Sequence, residues 1–488
     1  MGLFVVPGPL FSFILRVIVI QRSELNSGFF HEGNSMNSQE NSSRGNWGSK
    51  IAFIFAASGS AIGLGNIWRF PMSVGQNGGA IFVLVYVVGV IFIGFSVMLA
   101  ELTLGRHAQK NPVGAFKAVK PRSPWKFVGY LGIITGVCVL SFYSVIAGWA
   151  LGYFVKTAGG AFRGEVTSQL SETIYTEFTS NPLLVMITFV VMIGITTYII
   201  SKGVKSGIER WTKVLMPLLF ILIIFLAVRA LTLPGAKEGL SFYLKPDFSL
   251  LNGKIIFFAL GQAFFSLSLG MGTMITYGSY ISKKENLVSS AGWVCFTDSM
   301  IAIFAGIIIF PTLFAIPGIS PEAGPGLVFK VFPLIFSKIP GGYFFGVFFF
   351  ALLCIAALTS TISLLEVPVA YFVDEKNWSR KKAAFIMGFA AFFIGVPSAL
   401  STGAVKFFTK INFLGLMDFL FANISLAVGS LFIAIFVAYI WGIKKALQEI
   451  ESGLPHFRLR SVWAVSLKFL TPIAIVVILF FIKSIAAG

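Results

Sequence analysis

The sequence predicts an all-α protein that crosses the membrane about eleven times. Of its 488 residues, 56% are hydrophobic and only 11% are charged, and a soluble domain of this size could not bury that much apolar surface. Many apolar runs approach or exceed the roughly 20 residues that a helix needs to cross a bilayer. These runs are continuous and do not alternate with polar residues, which excludes a membrane β-barrel.

The apolar runs define the predicted spans. They cover residues 50–73, 79–105, 125–156, 182–200, 208–231, 252–282, 287–315, 341–373, 380–400, 411–442 and 461–485.

The loop charges predict the orientation. Strongly basic connections fall on one side of the membrane under this count, and they read "RHAQKNPVGAFKAVKPRSPWK", "SKGVKSGIERWTK", "ISKKEN", "EKNWSRKK" and the stretch 444–468. The acidic stretch "RGEVTSQLSETIYTEF" falls on the other side. The positive-inside rule therefore predicts a multi-pass protein of the cytoplasmic (inner) membrane with a cytoplasmic N-terminus. The net charge of +18 is a topology signal and does not indicate a nucleic-acid partner.

Two residue types argue against other functions. The cysteines Cys138, Cys295 and Cys354 all lie within apolar runs, where packing is the expected role and no disulfide or metal spacing arises. The histidines His31, His107 and His456 all lie outside the predicted spans. An intramembrane hydrolase with a histidine base or metal ligand is therefore not expected, and we predict no enzyme activity.

The N-terminal residues 1–43 form a tail that precedes the membrane region. Its apolar part is interrupted by Pro7, Pro9 and Arg16, and a polar stretch begins at Met36. We expect translation to start at Met36. A signal-like or interfacial segment is the alternative interpretation.

Two predicted spans are interrupted near their middle. The first contains "SGSAIGLGNIWRFP" at residues 58–71, and the sixth contains "GQAFFSLSLGMGTMITYGSY" at residues 261–280. Close helix packing through small residues could explain the first segment alone. Two interrupted spans, five apart, instead indicate an inverted repeat whose broken helices line a polar cavity at mid-membrane depth. Helix N-termini at such breaks attract anions, and the unwound carbonyls can bind cations.

These segments resemble the neurotransmitter:sodium symporters. The resemblance rests on "SGSAIGLGNIWRFP", "QNGGAIF", "KSGIERW", "GQAFFSLSLGMG" and "ALTSTISLLEVP", and it covers roughly residues 44–485. It implies the leucine-transporter-like fold, with a first five-helix repeat at 44–231, an inverted second repeat at 252–442 and an eleventh helix at 461–485. The eleven-span form is similar to a bacterial subgroup of this family.

The resemblance implies two sodium sites. The first uses the carbonyl of Ala61 and the side chains of Asn66, Ser266 and Asp298. The second uses the carbonyls of Gly59, Ile62 and Ala356 with the hydroxyls of Thr359 and Ser360. The alternative role of these two hydroxyls is a hydrogen bond to the backbone of their own helix.

Asp298 departs from the family pattern, which has asparagine at this position. Chloride-dependent relatives need an anion nearby, and the residue one helical turn onward is Ala302 here. The Asp298 carboxylate can supply that negative charge itself. We therefore expect chloride not to be required, and we note that an acid within a membrane span is usually functional.

The resemblance also implies a substrate site between the two breaks. Its expected residues are Ser60, Ala61, Gly63, Gly65, Val139, Tyr143, Phe265, Ser266, Ser268, Met271, Ser360 and Leu364. The backbone N–H groups of 63–65 and the Tyr143 hydroxyl would bind a substrate carboxylate. Met271 is a flexible, polarisable residue, which favours a large hydrophobic or aromatic side chain in the substrate.

Two ion pairs are expected as gates. Arg69 and Asp418 would form the outer pair, and Arg44 and Asp374 would form the inner pair. Trp47 and Tyr280 are expected beside the inner pair.

Three further features have expected roles. Glu366 either joins the inner network or titrates during transport. Glu101 is expected to cap unwound backbone near Gly65. Gly207 and Pro217 either let the cytoplasmic end of the fifth span unwind or simply kink it.

The sequence therefore predicts a symporter that couples an amino acid, hydrophobic or aromatic, to sodium, with two ions. A proton-coupled or exchange-driven transporter on the same fold is the alternative, kept open by Asp298 and Glu366, and an ion channel is a more distant one. The sequence does not define the oligomeric state.

Overall fold

The structure is a computed structural model that describes residues 45–164, 166–315, 327–454 and 456–486. The described residues belong to one compact unit, Arg44–Gly488. Every regular element among them is a helix, which confirms the predicted all-α class. The predictions for the N-terminal tail, for Met36 and for Arg44 lie outside the described residues.

The helices are numbered in chain order. The first part of the chain forms α1 (Lys50–Ala61), α2 (Gly65–Gln76), α3 (Ala80–Ala108), α4 (Pro112–Val119), α5 (Lys126–Ala158), α6 (Ser168–Ser180), α7 (Pro182–Ser201) and α8 (Val204–Leu231). The second part forms α9 (Ala236–Leu244), α10 (Gly253–Ser266), α11 (Thr273–Gly278), α12 (Leu287–Phe314), α13 (Phe332–Lys338), α14 (Gly342–Lys376), α15 (Arg380–Ala399), α16 (Lys406–Lys410), α17 (Phe413–Glu451) and α18 (460–486).

Each predicted span overlaps one helix or one pair of helices. In the described part, nine helices are long and apolar enough to cross a membrane, and α1 with α2 makes a tenth span that is bent by 52°. The predicted sixth span is divided into α10, a shorter apolar helix, and α11. Both predicted interruptions are therefore present in the fold.

The helix α5 lies at the centre of the packing. It contacts α14 most extensively and also packs against α7 and α15, while α1 packs between α12 and α14. Buried apolar side chains from these helices form one continuous core. Large apolar side chains also cover the outside, as expected for a surface that faces lipid.

The short helix α4 joins α3 to α5. Asn111 caps it, because the Asn111 Oδ1 accepts a hydrogen bond of 3.0 Å from the Gly114 N–H. Pro112 follows at the first helical position, where its missing N–H costs no hydrogen bond.

The start of α8 is irregular. Gly203 has a φ of 101° and precedes a π-helical turn, Val204–Glu209, while Pro217 lies further along the helix. A Cβ on Gly207 would collide with the Ile199 carbonyl oxygen of α7. Gly207 therefore allows close approach of two backbones, a role that helix propensity alone did not predict.

Candidate functional site

The first break separates α1 from α2. Ile62 is extended, with φ −70° and ψ 112°, so the helical hydrogen-bond pattern stops there. The Gly63 N–H donates to Asn66 Oδ1 at 3.1 Å, and the Leu64 N–H donates to the Tyr143 hydroxyl at 2.9 Å. Side chains therefore satisfy backbone groups that the break releases.

A side chain also bonds a carbonyl that the first break releases. The Gly65 carbonyl accepts a hydrogen bond of 3.0 Å from the Gln262 amide of α10. Sequence reasoning missed Gln262, although an amide in an apolar run, one turn before Ser266, was a usable signal.

Two glycines at the first break leave room for neighbouring side chains. A Cβ on Gly63 would lie 2.5 Å from the Tyr143 hydroxyl and 2.6 Å from Ser360 Oγ. A Cβ on Gly65 would lie 2.7 Å from the Phe265 ring. The structure thus brings both glycines against three residues that were predicted to bind substrate.

The second break separates α10 from α11 and has a different backbone. Ser268, Gly270 and Gly272 are all left-handed, with φ values of 53°, 86° and 76°. The Gly270 N–H donates to Glu101 Oε1 at 2.7 Å. The expectation that Glu101 caps the first break near Gly65 is therefore wrong: Glu101 caps the second break, and Gln262 contacts Gly65.

A buried polar cluster, which we call the Asp298 cluster, joins α2, α3, α10 and α12 through Asn66, Tyr86, Ser266 and Asp298. Asn66 Nδ2 donates to Asp298 Oδ1 at 2.7 Å and to Ser266 Oγ at 3.0 Å. Ser266 donates to Asp298 Oδ2 at 2.7 Å. The three side chains predicted for the first sodium site are thus in mutual contact, and all are at most 1% exposed.

Tyr86 completes the Asp298 cluster, and sequence reasoning missed it. Its hydroxyl lies 3.3 Å from Asp298 Oδ2 and 3.2 Å from Ser266 Oγ. Ala61, the remaining predicted member of the first sodium site, is the last residue of α1.

The residues predicted for the second sodium site also lie together. Ser360 Oγ is 3.2 Å from the Ile62 carbonyl of the first break and 3.3 Å from the Ala356 carbonyl of its own helix. Thr359 Oγ1 is 3.0 Å from the same Ala356 carbonyl, and a Cβ on Gly59 would be 3.2 Å from Thr359 Cβ. The hydroxyls therefore bond their own helix, and Ser360 in addition reaches across to the first break.

The other predicted substrate residues lie on α5, on α14 and in the second break. Val139 and Tyr143 are buried on α5, and Leu364 is buried on α14 about one turn beyond Ser360. Met271 is buried within the second break.

Two serines connect the breaks to each other and to α14. Ser268 Oγ donates to the Ser60 carbonyl at 3.0 Å. Ser60 Oγ in turn donates to Ser363 Oγ at 2.7 Å. The end of α1 is thus fixed to α14 by a direct hydrogen bond between side chains.

The predicted outer gate is not a direct ion pair in this structure. Arg69 donates to Asn423 Oδ1 at 2.5 Å, and Asn423 Nδ2 lies 3.4 Å from Asp418 Oδ2. Asn423 therefore bridges the two predicted partners, because the π-helical segment Asp418–Ser425 brings residues five apart onto one side. The Arg69 guanidinium also lies 4.2 Å from the centroid of the Phe265 ring.

The opposite side of the site carries a buried ion pair that the sequence did not predict. Glu366 is fully buried and pairs with Arg380 of α15. It also accepts a hydrogen bond of 2.6 Å from the Tyr280 hydroxyl. Glu366 therefore belongs to the inner network.

The N-terminal end of α1 is attached to this network. The Trp47 indole donates to the Tyr277 carbonyl at 3.1 Å, and its ring lies 6.0 Å from that of Tyr280. The Gly48 N–H donates to Glu209 Oε2 of α8 at 2.9 Å. Trp47 and Tyr280 thus lie together.

A family model for the sodium:neurotransmitter symporters matches residues 44–163 and 162–487 of this chain. The chain belongs to the sodium:neurotransmitter symporter family. It is therefore a multi-pass membrane protein of a family of sodium-dependent secondary transporters, and not an enzyme. The fold agrees with this assignment.

Individual relatives lead to the same family. An uncharacterised sodium-dependent transporter of Bacillus subtilis is 39% identical, over 88% of this chain and 96% of the relative. The sodium-dependent serotonin transporter of Drosophila melanogaster is 27% identical, over 90% of this chain and 76% of the relative. The crystal structure of MhsT in complex with L-phenylalanine superposes with a TM-score of 0.83 at 45% identity, covering 90% of this chain and 99% of that one.

Proposed function

We propose that this member of the family carries a hydrophobic or aromatic amino acid into the cell together with sodium. The observation that supports the proposal most strongly is the arrangement at the first break. There the backbone of Gly63 and Gly65 faces Tyr143, Ser360 and Phe265, immediately beside the Asp298 cluster.

The polar part of the substrate would bind at the first break. A carboxylate there would accept hydrogen bonds from backbone N–H groups of residues 63–65 and from the Tyr143 hydroxyl. Donors at the N-terminus of α2 suit an anion, because the helix dipole is positive at that end. The carbonyls of Ala61 and Phe265 would accept from the substrate ammonium group.

The side chain of the substrate would meet apolar residues. Val139, Met271 and Leu364 are buried and carry no polar side-chain atom other than sulfur, and Phe265 adds an aromatic face. Such a lining favours a large apolar side chain over a charged one. The L-phenylalanine complex of MhsT, at 45% identity, supports the same substrate class.

We further propose two sodium ions, one at each predicted site. The donors are carbonyl, hydroxyl, amide and carboxylate oxygens, which are the ligands that hard cations prefer. Sodium beside the substrate carboxylate would raise the affinity for substrate, and substrate would raise the affinity for sodium by the same factor. This reciprocity is the basis of coupling.

Proton coupling is the alternative, and the contacts of the buried carboxylates indicate which of them would carry the proton. Glu366 is engaged by Arg380 and Tyr280, whereas Asp298 lies within the proposed sodium site. Of these two carboxylates, Asp298 is therefore the one through which a proton would enter the transport cycle.

Uptake into proteoliposomes tests the proposal. With an inward sodium gradient at fixed pH, we expect saturable uptake of radiolabelled phenylalanine, which stops when choline replaces sodium. Competition with each of the other amino acids should be strongest for hydrophobic and aromatic ones. Uptake that follows a proton gradient without sodium would favour the alternative, and large currents without saturable uptake would indicate a channel.

The Asp298 carboxylate should make transport independent of chloride. Replacing chloride with gluconate should leave wild-type uptake unchanged. Asp298→Asn keeps an oxygen ligand and removes the charge, so uptake in gluconate should fall at least tenfold, as loss of a charged contact worth about 1.5–3 kcal/mol implies. A chloride requirement in the wild type, or full activity of the variant in gluconate, would contradict this role.

A further inference from the structure

We infer that Asn111 is a positioning residue for Asp374, and that it orients this carboxylate without neutralising its charge. The inference rests on the inner gate that the sequence analysis predicts, in which Asp374 is the acidic residue. Asn111 precedes α4, the helix that joins α3 to α5, and neither sequence reasoning nor the family resemblance pointed to it.

Both the backbone and the side chain of Asn111 form hydrogen bonds. Its backbone N–H donates to Asp374 Oδ2 at 2.8 Å, and its side-chain Nδ2 donates to the same oxygen at 3.0 Å. Its Oδ1 accepts from the Gly114 N–H at 3.0 Å and thereby caps α4. Because Asn111 is fully buried, the cap through Oδ1 and the bond donated by Nδ2 fix the side chain in one orientation.

The neighbouring carboxylate is treated differently. Lys117 of α4 forms an ion pair of 2.6 Å with Glu375 Oε2, whereas Asn111 Nδ2 lies 3.5 Å from Glu375 Oε1. The connection around α4 thus offers a cation to Glu375 and neutral N–H donors to Asp374. Neutral donors orient a carboxylate without cancelling its negative charge.

The bonds from Asn111 to Asp374 connect two parts of the fold. Asp374 lies near the end of α14, the helix that also carries Thr359 and Ser360. Asn111 holds that end of α14 to the connection between α3 and α5. Loss of the bond from the Asn111 side chain should let the Asp374 carboxylate rotate away, so the inner side of the protein should open more often.

A single-cysteine reporter measures this opening. Cys138, Cys295 and Cys354 are replaced, and Ser279→Cys is introduced, because Ser279 lies next to Tyr280 and is 2% exposed. The rate of labelling with a maleimide then reports how often the inner side opens, and it is measured on full-length protein in proteoliposomes containing sodium.

The informative change is Asn111→Asp. Aspartate still caps α4, since it accepts from the Gly114 N–H, but it replaces a donor with an anion beside Asp374. We expect the labelling rate to rise about tenfold, the size typical of a lost charge-assisted hydrogen bond. Asn286→Asp is the matched control, because Asn286 caps α12 through the Ser289 N–H at 2.9 Å, and its rate should stay within about twofold of wild type.

A double-variant cycle separates positioning from a general structural effect. If Asn111 acts through Asp374, then adding Asn111→Asp to Asp374→Asn should change the rate by less than about twofold, because the two carboxylates no longer face each other. A full tenfold rise in that background would overturn the inference, and so would an Asp374→Asn variant that labels at the wild-type rate.

The proposed transport function is read out separately. Absence of sodium-driven phenylalanine uptake in the wild type would refute the substrate and ion assignment. The labelling cycle would still test Asn111 and Asp374, because it requires only that the inner side opens and closes.

Discussion

The two broken helices solve the same backbone problem in different ways. Residues 58–69 of the first break contain no left-handed residue, and neutral side chains such as Asn66 and Tyr143 bond its released N–H groups. The second break turns through left-handed residues, and the buried carboxylate of Glu101 caps it at Gly270. At the first break, a ligand can therefore replace the side chains that bond the released N–H groups. The second break is held in shape by the left-handed conformation of its own residues.

Alanine at one glycine of each break would separate these roles most clearly. Gly270 has a φ of 86°, and a Cβ there would collide with the Leu426 carbonyl and lie 2.6 Å from Ser430 Oγ. We expect Gly270→Ala to lose the folded protein, as judged by size-exclusion chromatography in detergent. Gly63→Ala has no such backbone strain, so it should remain folded but lose phenylalanine binding by more than about a hundredfold.

The outcome that contradicts this division is equally simple. If Gly63→Ala unfolds the protein as completely as Gly270→Ala, the first break is also a structural fixture. Size-exclusion chromatography of Gly63→Ala in detergent distinguishes the two cases, and scintillation proximity binding on the folded variant then measures the loss of phenylalanine affinity.

The contact between the first break and α14 leads to the next prediction. Changing both Thr359 and Ser360 to alanine should abolish sodium-driven uptake while the protein remains folded, because the two hydroxyl ligands of the second sodium site disappear. Thr361→Val is the matched control: its hydroxyl bonds Thr196 at 2.7 Å, away from α1. Undiminished sodium-driven uptake in the double variant would remove the second sodium site from the proposal.

A smaller effect is expected at the hydroxyl that contacts the first break from α5. Tyr143→Phe removes a donor to the substrate carboxylate, worth about 1.5–3 kcal/mol, so affinity should fall roughly tenfold to a hundredfold. Tyr153→Phe on the same helix is the control, since the Tyr153 hydroxyl is buried without a hydrogen-bond partner among the described residues. Equal affinities of the wild type and Tyr143→Phe would place the carboxylate elsewhere.

The smallest effect should come from Ser268, the left-handed residue of the second break that is not glycine. Ser268→Gly removes backbone strain of about 1 kcal/mol but also removes the bond to the Ser60 carbonyl, worth about 0.5–1.5 kcal/mol. These terms oppose each other, so the melting temperature should shift by only a few degrees. A large loss of stability would show that the Ser268 bond, and not the left-handed backbone, holds the second break in place.

Sequence reasoning predicted the spans and both breaks because each depends on local composition. An apolar run of sufficient length is a helix in a bilayer, and glycines within it mark an interruption. The residues proposed for the second sodium site came from the family resemblance, which rests on the motifs "SGSAIGLGN" and "ALTSTIS".

The missed residues depend on which helices pack together. Nothing local indicates that Tyr86 meets Asp298, or that Arg380 pairs with Glu366, because each pair joins different helices. Asn423 was missed for a related reason. The π-helical turn that brings Asn423 between Arg69 and Asp418 does not appear in the periodicity of the sequence.

Hydrogen bonds hold α1 at its two ends, while its middle is packed through Phe53, Ala56 and Ala57. The bonds at the C-terminal end involve Ser60 and Ile62, and those at the N-terminal end involve Trp47 and Gly48. Apolar contacts tolerate sliding. If the hydrogen bonds at one end were released, α1 could therefore rotate about the end that is still bonded. With 12 residues, α1 is about 18 Å long, and a rotation of about 20° would move its free end by about 6 Å, wide enough for water to enter.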